Sequence, residues 1–357
     1  MTTADTLLQQ AKATEFFVAP YLERDLARFL DEKAMEIRQL ASESVRGDIR
    51  EVYFVASGAS GAALYSGMYL LQRYTSIAAH SLPGYDFINR GNVRVNEHSL
   101  VFLASYGGRT EDTLAALRFA KGKRARTIAI GRRQDPATPI MSEADVRIEY
   151  DSPALYHIPL AAVYLFGSQV ALATNPGQVE MRKLADDLFT LPSLLGEVYK
   201  NSQTTARDLA ERCVDSKLMY VLGTGPLYGL AYTYALTIFM EYLRINSSVI
   251  EASEFRQGPI EALSRQKADL VFLVGTDETR AMMSRVLDVV RTRTDAQSLV
   301  FDMADYAPTS PLLAPLVLHI PLQWFTVYSA VLRGFADLDT RTYMGTGLLS
   351  KEGATWP

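Results

Sequence analysis

The fold is decided by the stretch EVYFVASGASGAALYSGMYLLQRY, residues Glu51–Tyr74. A short run of β-branched and aromatic residues is followed by a Gly/Ser turn and a long apolar segment, which predicts a strand, a loop and a helix. Three further strands are predicted at Ser99–Gly108, Arg126–Gly131 and Val146–Tyr150, with a helical TEDTLAALRFAKG between the first two. Strands that alternate with helices indicate a parallel sheet with helices on both faces.

The same order of elements occurs a second time. The stretch LMYVLGTGPLYGLAYTYALTIFMEY repeats the strand, glycine turn and helix, and it aligns Tyr220 with Tyr53 and Gly225 with Gly58. A repeated pattern at a nearly constant offset is typical of an internal duplication, so we predict two copies of one nucleotide-fold-like module. Further matching positions support the duplication: Leu270–Leu273 with Leu100–Leu103, Leu299 with Ile128, and Leu316 with Val146.

The rest of the chain divides around these two modules. The opening segment carries apolar residues at helical spacing, the apolar stretch Asp151–Ala173 predicts a bridging helix, and a turn at Asn175–Gln178 leads into a polar helical stretch. We therefore predict five parts: a helical N-terminal segment (1–45), a first domain (46–174), a linker helix (175–205), a second domain (206–340) and a C-terminal tail (341–357).

Composition excludes several classes of protein. With 357 residues, 48% of them hydrophobic, the chain can bury more than one core. A net charge of −4 without a long basic run disfavours a nucleic-acid partner. The N-terminus lacks the pattern of a secretory signal and no stretch has about 18 uninterrupted apolar residues, so we expect a soluble protein without a membrane partner. The single cysteine, Cys213, fits a reducing compartment, and we expect a cytoplasmic location.

The histidines give no indication of a metal site. His80, His98, His157 and His319 show neither H-x-x-x-H nor H-E-x-x-H spacing. His157 and His319 lie in apolar stretches, where a hydrogen-bonded core histidine is the favoured interpretation. The chain also lacks G-x-x-x-x-G-K-[ST], and no G-x-G-x-x-G follows either first strand, so ATP and NAD are disfavoured. We expect neither a metal nor an organic cofactor.

Two loops rich in glycine and hydroxyl groups follow the first two predicted strands. Ligands bind beyond the carboxyl ends of the strands in an open parallel sheet. Ser57–Gly61 and Ser105–Thr110 both precede helices, for which Thr110, Glu111 and Asp112 are capping candidates. Each loop alone is compatible with ordinary turn chemistry, but the pair predicts a cradle for a sugar phosphate.

The second module offers a carboxylate instead. Glu241 follows Met240 and precedes Tyr242 at the end of the long predicted helix, so partial burial is expected to raise its pKa toward neutrality, as a general base requires. A glutamate on a solvated helix face is the alternative interpretation. The nearby segment SEFRQGP, Ser253–Pro259, ends in a Gly-Pro turn, which by itself predicts only a bend.

Together, the duplicated module, SYGGRTEDT and SEFRQGP resemble the sugar isomerase (SIS) domain proteins from about residue 45 onward. The sequence is most similar to the fructosamine deglycase branch, which includes fructoselysine 6-phosphate deglycase, and more distantly to the isomerase domain of glucosamine-6-phosphate synthase. The segments Ser152–Gly167 and Leu338–Gly345 favour that branch. The resemblance implies an α/β fold of two tandem doubly wound, flavodoxin-like parallel-sheet domains behind a helical N-terminal segment.

The resemblance also implies a substrate-binding set. The family phosphate loop S-x-S-G-x-T falls on Ser105–Thr110, where Gly107 replaces the second serine. A family hydroxyl falls on Ser60, whereas Ala59 stands where threonine is common. Two missing donors leave two alternatives: an unphosphorylated sugar, or a phosphate whose charge is met by Arg109. The implied binding residues are Ser57, Gly58, Ser60, Ser105, Tyr106, Gly107, Arg109, Thr110 and Glu254.

Two catalytic positions are implied as well. The family glutamate that shuttles a proton falls on Glu241, and the family histidine, contributed by a neighbouring subunit, falls on Gln257. Glutamine cannot ionise, so it can orient an oxygen or a water but cannot act as the acid. The imine-forming lysine of glucosamine-6-phosphate synthase has no secure counterpart, because Lys351 lies in an unmatched tail. A shared site implies a homodimer or larger homo-oligomer.

The expected activity is release of an amine and an aldose from an Amadori product, a small-molecule sugar-amine. A phosphosugar aldose–ketose isomerase is the first alternative, because it uses the same proton shuttle. A sugar-phosphate-binding protein without catalysis is the second, because Gln257 stands where an acid is expected.

Overall fold

The computed structural model describes residues 3–91 and 93–343, and the chain separates into two compact units. One unit consists of Tyr21–Leu195 and Ala307–Leu316. The other consists of Gly196–Tyr306 together with the described segments before Tyr21 and after Leu316. Each unit contains one parallel sheet, as the duplication predicts.

The elements of the first half of the chain alternate between helices and strands from residue 51 onward. In chain order they are α1 (Thr3–Lys12), α2 (Leu22–Arg46), β1 (Glu51–Val55), α3 (Gly58–Tyr74), β2 (Ala78–Leu82), α4 (Gly84–Asn89), β3 (Ser99–Ala104), α5 (Glu111–Gly122), β4 (Arg126–Arg132), α6 (Pro139–Glu143), β5 (Val146–Tyr150) and α7 (His157–Thr174).

The second half begins with two polar helices and then repeats the alternation. Its elements are α8 (Val179–Asn201), α9 (Gln203–Arg212), β6 (Leu218–Gly223), α10 (Tyr228–Tyr232), β7 (Asn246–Glu251), α11 (Pro259–Ala262), β8 (Asp269–Val274), α12 (Arg280–Arg293), β9 (Gln297–Asp302) and α13 (Ala314–Leu332).

The first sheet has the strand order β2-β1-β3-β4-β5, and every pair is parallel. This is the flavodoxin-like order, which confirms the predicted doubly wound fold. The order reverses at β1, and Val55 at its carboxyl end lies opposite Leu103 of β3. The loops that follow β1 and β3 therefore leave the sheet side by side at the switch point, where ligands bind in this architecture.

The second sheet has the order β7-β6-β8-β9 and is also parallel. The counterpart of Ile128 lies in β9, as predicted, since Leu299 is part of that strand. The prediction that Leu316 is the counterpart of Val146 is wrong, because Leu316 lies in α13 and not in a strand. Within the described residues this sheet has no equivalent of β5. The cause is a buried apolar run of 19 residues, whose periodicity does not distinguish a helix from a strand.

Two helices, His157–Thr174 and Pro311–Leu332, are long and apolar enough to cross a membrane by length and composition alone. Their apolar windows are 78% and 89% buried inside the protein, so they have the character of core helices. The first is the predicted bridging helix, which begins at His157 rather than at Asp151 and packs against α2 and α3.

The buried histidine of α7 makes stability depend on pH. His157 is fully buried with Nε2 3.0 Å from the carbonyl oxygen of Leu316, and burial lowers its pKa to about 4. An unfolded chain binds this proton near pH 6.5, so unfolding takes up a proton and stability falls as the pH drops from 6.5 toward 4. The loss attributable to this group is about 3 kcal/mol.

We expect His157→Gln to flatten the dependence of the urea unfolding midpoint on pH between 6.5 and 4, because an amide can still donate to Leu316 but does not titrate. His98→Gln is the control, since His98 is partly exposed beside Asp48. An unchanged slope in His157→Gln would contradict the assignment.

Candidate functional site

The loop after β1 is shaped by two glycines. Gly58 has a φ of 59°, the left-handed region that favours glycine, and Gly225 has a φ of 54° at the matching position of the second module. A Cβ atom on Gly61 would lie 2.5 Å from the carbonyl oxygen of Ala56. The first turn of α3 therefore lies directly over the end of β1, with Ser57 exposed at its start.

The loop after β3 is closed by its own hydroxyl groups. Ser105 Oγ lies 2.8 Å from Thr110 Oγ1, and the Ser105 side chain is buried. The Gly108 N–H donates to the Ser105 carbonyl oxygen at 3.2 Å, with φ at 62°. A Cβ atom on Gly108 would collide with the Thr138 hydroxyl, so a larger residue would displace this loop. The two predicted phosphate-binding hydroxyls therefore form one fixed pair.

Asp112 joins the two loops. Its Oδ2 accepts hydrogen bonds from Ser57 Oγ at 2.5 Å and from the Gly84 N–H at 3.3 Å. Of the capping candidates, Thr110 does stand at the N-cap position of α5, but its hydroxyl pairs with Ser105 and makes no cap hydrogen bond. Ser57 at the start of α3 likewise makes no cap hydrogen bond. Both helices thus begin without side-chain caps, which leaves their first-turn N–H groups for a ligand.

Two arginines supply positive charge beside these loops. Arg132 Nη1 donates to the Tyr106 hydroxyl at 2.9 Å, and its guanidinium carbon lies 5.6 Å from the Tyr106 ring centroid. Arg109 and Gly107 are exposed, and a Cβ atom on Gly107 would meet no neighbouring atom. The missing serine is therefore replaced by open space. Arg132 was not part of the predicted site.

The helix that carries Glu241 is irregular. The sequence predicts one long helix, whereas the structure has a 3-10 turn at Gly225–Leu227, the short helix α10 and a π-helix at Thr233–Tyr242. Thr237 Oγ1 donates to the carbonyl oxygen of Thr233 at 2.6 Å, a side-chain bond that often bends helices. π-helical turns are rare and occur frequently at functional sites.

Glu241 is partly buried in this widened turn. Its side chain is 23% exposed, and its Oε2 lies 3.3 Å from Arg341 Nε. Burial raises the pKa of the Glu241 carboxyl, and the Arg341 guanidinium opposes that rise. Burial thus acts on the pKa of this carboxyl in the direction that the sequence predicts, and the side chain does not lie on a fully solvated helix face. Across residues 3–91 and 93–343, no hydrogen bond to this carboxylate is found.

The segment that carries Gln257 is accessible from outside the chain. Glu254 and Gln257 are exposed on a short 3-10 helix, Ala252–Gln257. That helix is capped by Glu251, whose carboxylate accepts from the Ser253 N–H at 2.7 Å and from the Thr224 hydroxyl. An exposed Gln257 has the accessibility that a residue needs if it serves a neighbouring subunit.

The predicted site residues therefore fall into two sets. The first unit holds those from Ser57 to Thr110, and the second unit holds Glu241, Glu254 and Gln257. Lys351 lies outside the described residues. The sequence did not predict that Asp112 links the two loops or that Arg341 lies beside Glu241. A signal for Arg341 existed, because it lies within the quoted segment Leu338–Gly345. In the part of the chain that the structure describes, no group of three or more His, Cys, Asp or Glu side chains could hold a metal ion.

Comparison with known proteins decides the family. The SIS domain model matches residues 48–174. The fructosamine deglycase FrlB of Bacillus subtilis (strain 168) is 31% identical, over 81% of this chain and 87% of its own length. The chain belongs to the SIS domain family.

Other SIS relatives support this assignment over most of the chain. The fructoselysine 6-phosphate deglycase of Escherichia coli (strain K12) is 28% identical, over 93% of this chain and 96% of its own length. A crystal structure from Bacillus subtilis, described as a phosphosugar isomerase, superposes with a TM-score of 0.78 at 30% identity, covering 87% of this chain and 96% of that one. The SIS fold therefore extends through both modules.

Proposed function

We propose that this SIS protein is a fructosamine deglycase, which releases an amine and an aldose from an Amadori product. The observation that carries the proposal is Glu241, a half-buried carboxylate with a raised pKa in a π-helical turn. The relatives named fructoselysine 6-phosphate deglycase and fructosamine deglycase support the substrate class.

In the proposed reaction, Glu241 removes a proton from C1 of a 1-amino-1-deoxyfructose unit, giving an enaminol. The same carboxyl returns the proton to C2 while the amine N–H gives up a proton to solvent, which balances the proton that the C2 oxygen takes up in the enaminol. The C2 carbonyl thus becomes a hydroxyl and C1 becomes an imine. Water then adds to the imine, and the C–N bond breaks to give an aldose and a free amine. The substrate's own carbonyl acidifies the C1–H bond, so the residues of this chain need only position the sugar and move the proton.

The loops after β1 and β3 are the proposed binding elements for the sugar or its phosphate. Ser105 and Thr110 present a hydroxyl pair, and the uncapped starts of α3 and α5 present backbone N–H groups. Arg109 would pair with the negative charge of a phosphate. The other proposed binding residues of these loops are Gly58, Ser60, Tyr106 and Gly107.

Gln257 is proposed to orient the water or a sugar oxygen, since an amide donates and accepts hydrogen bonds without titrating. Its exposure, with that of Glu254, supports a site completed by a second copy of the chain, so a homodimer or larger homo-oligomer is part of the proposal. We also propose a cytoplasmic location, because a single cysteine cannot form an internal disulfide and therefore fits a reducing compartment.

The test is amine release from a panel of fructosyl amino acids, each with and without a 6-phosphate. We expect release of free amine and an aldose from at least one member of the panel. A preference for the phosphorylated members would assign the loop hydroxyls and Arg109 to the phosphate, and the opposite preference would assign them to sugar hydroxyls. Interconversion of ketose and aldose phosphates without amine release would overturn the proposal in favour of an isomerase. Tight binding without any product would overturn it in favour of a binding protein.

A further inference from the structure

The segment after α13 is tied down next to the π-helix that carries Glu241. The Asp339 carboxylate accepts hydrogen bonds from the Glu15 N–H at 2.7 Å and the Phe16 N–H at 3.0 Å. Arg244 Nη2 donates to the carbonyl oxygen of Thr340 at 2.7 Å. These contacts, all within the second unit, fix the two residues that directly precede Arg341.

The Arg341 side chain lies between an aromatic ring and the carboxylate of Glu241. Its guanidinium carbon is 4.3 Å from the Tyr242 ring centroid, and the Tyr242 ring packs on Phe16 at 4.6 Å between centroids. Stacking on an aromatic face holds a guanidinium in place. Arg341 is thus held by the ring on one side while its charge faces Glu241 on the other.

The contact between the two charges is close but one-sided. Arg341 Nε lies 3.3 Å from Glu241 Oε2, yet this buried nitrogen makes no hydrogen bond. A bidentate pair would occupy both carboxylate oxygens and weaken the base. Among the contacts found in residues 3–91 and 93–343, Oε1 of Glu241 makes no hydrogen bond to Arg341, so the guanidinium does not occupy both carboxylate oxygens.

We propose that Arg341 is the positioning residue for Glu241: it orients the carboxylate through one oxygen and sets the pH range in which that carboxylate acts as a base. This inference rests on the proposed deglycase function. Charged and titratable groups on the segments around this pair are Tyr242 and Arg244 at the end of the π-helix, Asp339 after α13, and Glu15 in the N-terminal segment. Tyr242 contacts Arg341, whereas Arg244 is bonded to the Thr340 carbonyl oxygen.

The sign of the pH effect follows from the charges. A base must be deprotonated, so the acid limb of kcat/KM reports its protonation in the free enzyme. Removing the guanidinium removes a charge that favours the carboxylate, so the limb moves to higher pH. We expect Arg341→Met to shift it upward by about one pH unit, the lower end of the range for an opposite charge at this distance, because the pair is partly solvated. We also expect kcat to fall about tenfold through loss of orientation.

Three further variants separate position from charge. Arg341→Lys keeps the positive charge but loses the planar stack on Tyr242. We therefore expect the acid limb of kcat/KM to lie at nearly the same pH as in the wild type, with a reduced kcat. Arg244→Met loosens the same segment without removing the charge beside Glu241, so the limb is expected to stay in place. Arg265→Met is the neutral control, since Arg265 is exposed in the same unit. A shift in Arg244→Met as large as that in Arg341→Met would overturn the proposal in favour of a structural role.

A second measurement keeps this inference distinct from the proposed function. Carbon-13 labelling of the glutamate carboxyls allows Glu241 to be titrated by NMR, with the Glu241→Gln difference spectrum giving its assignment. We expect the Glu241 resonance to titrate about one pH unit higher in Arg341→Met than in the wild type, with or without substrate. An unchanged titration would overturn the role of Arg341 even if the enzyme releases amines. A shifted titration in a protein that releases no amine from any fructosamine would overturn the deglycase function instead.

Discussion

Glu241→Gln is expected to lower amine release from fructosyl amino acids by about 10²- to 10⁴-fold, the range that a positioned general base contributes. The amide has nearly the same shape as the carboxylate but cannot take the C1 proton. The carboxylate accepts no hydrogen bond among residues 3–91 and 93–343, and its contact with Arg341 is partly solvated, so the free energy of unfolding should change by less than about 1 kcal/mol. Steady-state amine release and thermal unfolding measure the two quantities.

The matched control for this variant is Glu261→Gln, an exposed glutamate of α11 in the same unit, which should keep its activity. The pH profile adds a second criterion, because burial raises the pKa of Glu241 and the wild-type acid limb should therefore lie above that of an ordinary carboxyl group. Turnover by Glu241→Gln at the rate of the control would remove this residue from the mechanism.

The pattern of the chain predicted the architecture because each module repeats one strong signal. The unit of buried strand, glycine turn and helix occurs at Glu51–Tyr74 and again at Leu218–Tyr242, and both glycines at the turn adopt positive φ. Strands β2 and β7 were not predicted. They are short, AAHSL and NSSVIE, and they carry polar residues because each lies at the edge of its sheet.

Only those features of the site that depend on residues close together in the sequence were predicted. The Ser105–Thr110 pair lies within one loop, and Glu241 stands in an apolar stretch of the sequence, so the hydroxyl pair and the partial burial of Glu241 could both be predicted from nearby residues. Asp112 and Arg341 act on residues 55 and 100 positions away, respectively (112 − 57 and 341 − 241), and tertiary packing alone determines those contacts. The π-helix was missed for a related reason, since its apolar residues satisfy ordinary helical spacing equally well.

Ser105→Ala is expected to raise KM for the fructosamine substrate by about 10- to 100-fold, with a smaller change in kcat. A hydrogen bond from a hydroxyl to a charged group is worth about 1.5–3 kcal/mol, and its loss from uniform binding appears in KM. The Ser105 hydroxyl bonds only to Thr110 among the contacts found in residues 3–91 and 93–343, and Thr110 is exposed and can turn to water. Stability should therefore fall by less than about 1 kcal/mol.

Two comparisons test this explanation of the KM effect. Ser142→Ala removes an exposed hydroxyl of α6 in the same unit, whose partner is the Pro139 carbonyl oxygen, and should leave KM unchanged. Thr110→Val should raise KM as Ser105→Ala does, and the double variant should lose less than the product of the two effects, because each hydroxyl orients the other. Strictly multiplicative losses, or a KM for Ser105→Ala equal to that of Ser142→Ala, would mean that the loop after β3 does not hold the substrate as one hydroxyl pair. The substrate would then have to be bound through backbone N–H groups at the uncapped starts of α3 and α5, and neither serine nor threonine at these positions would be required.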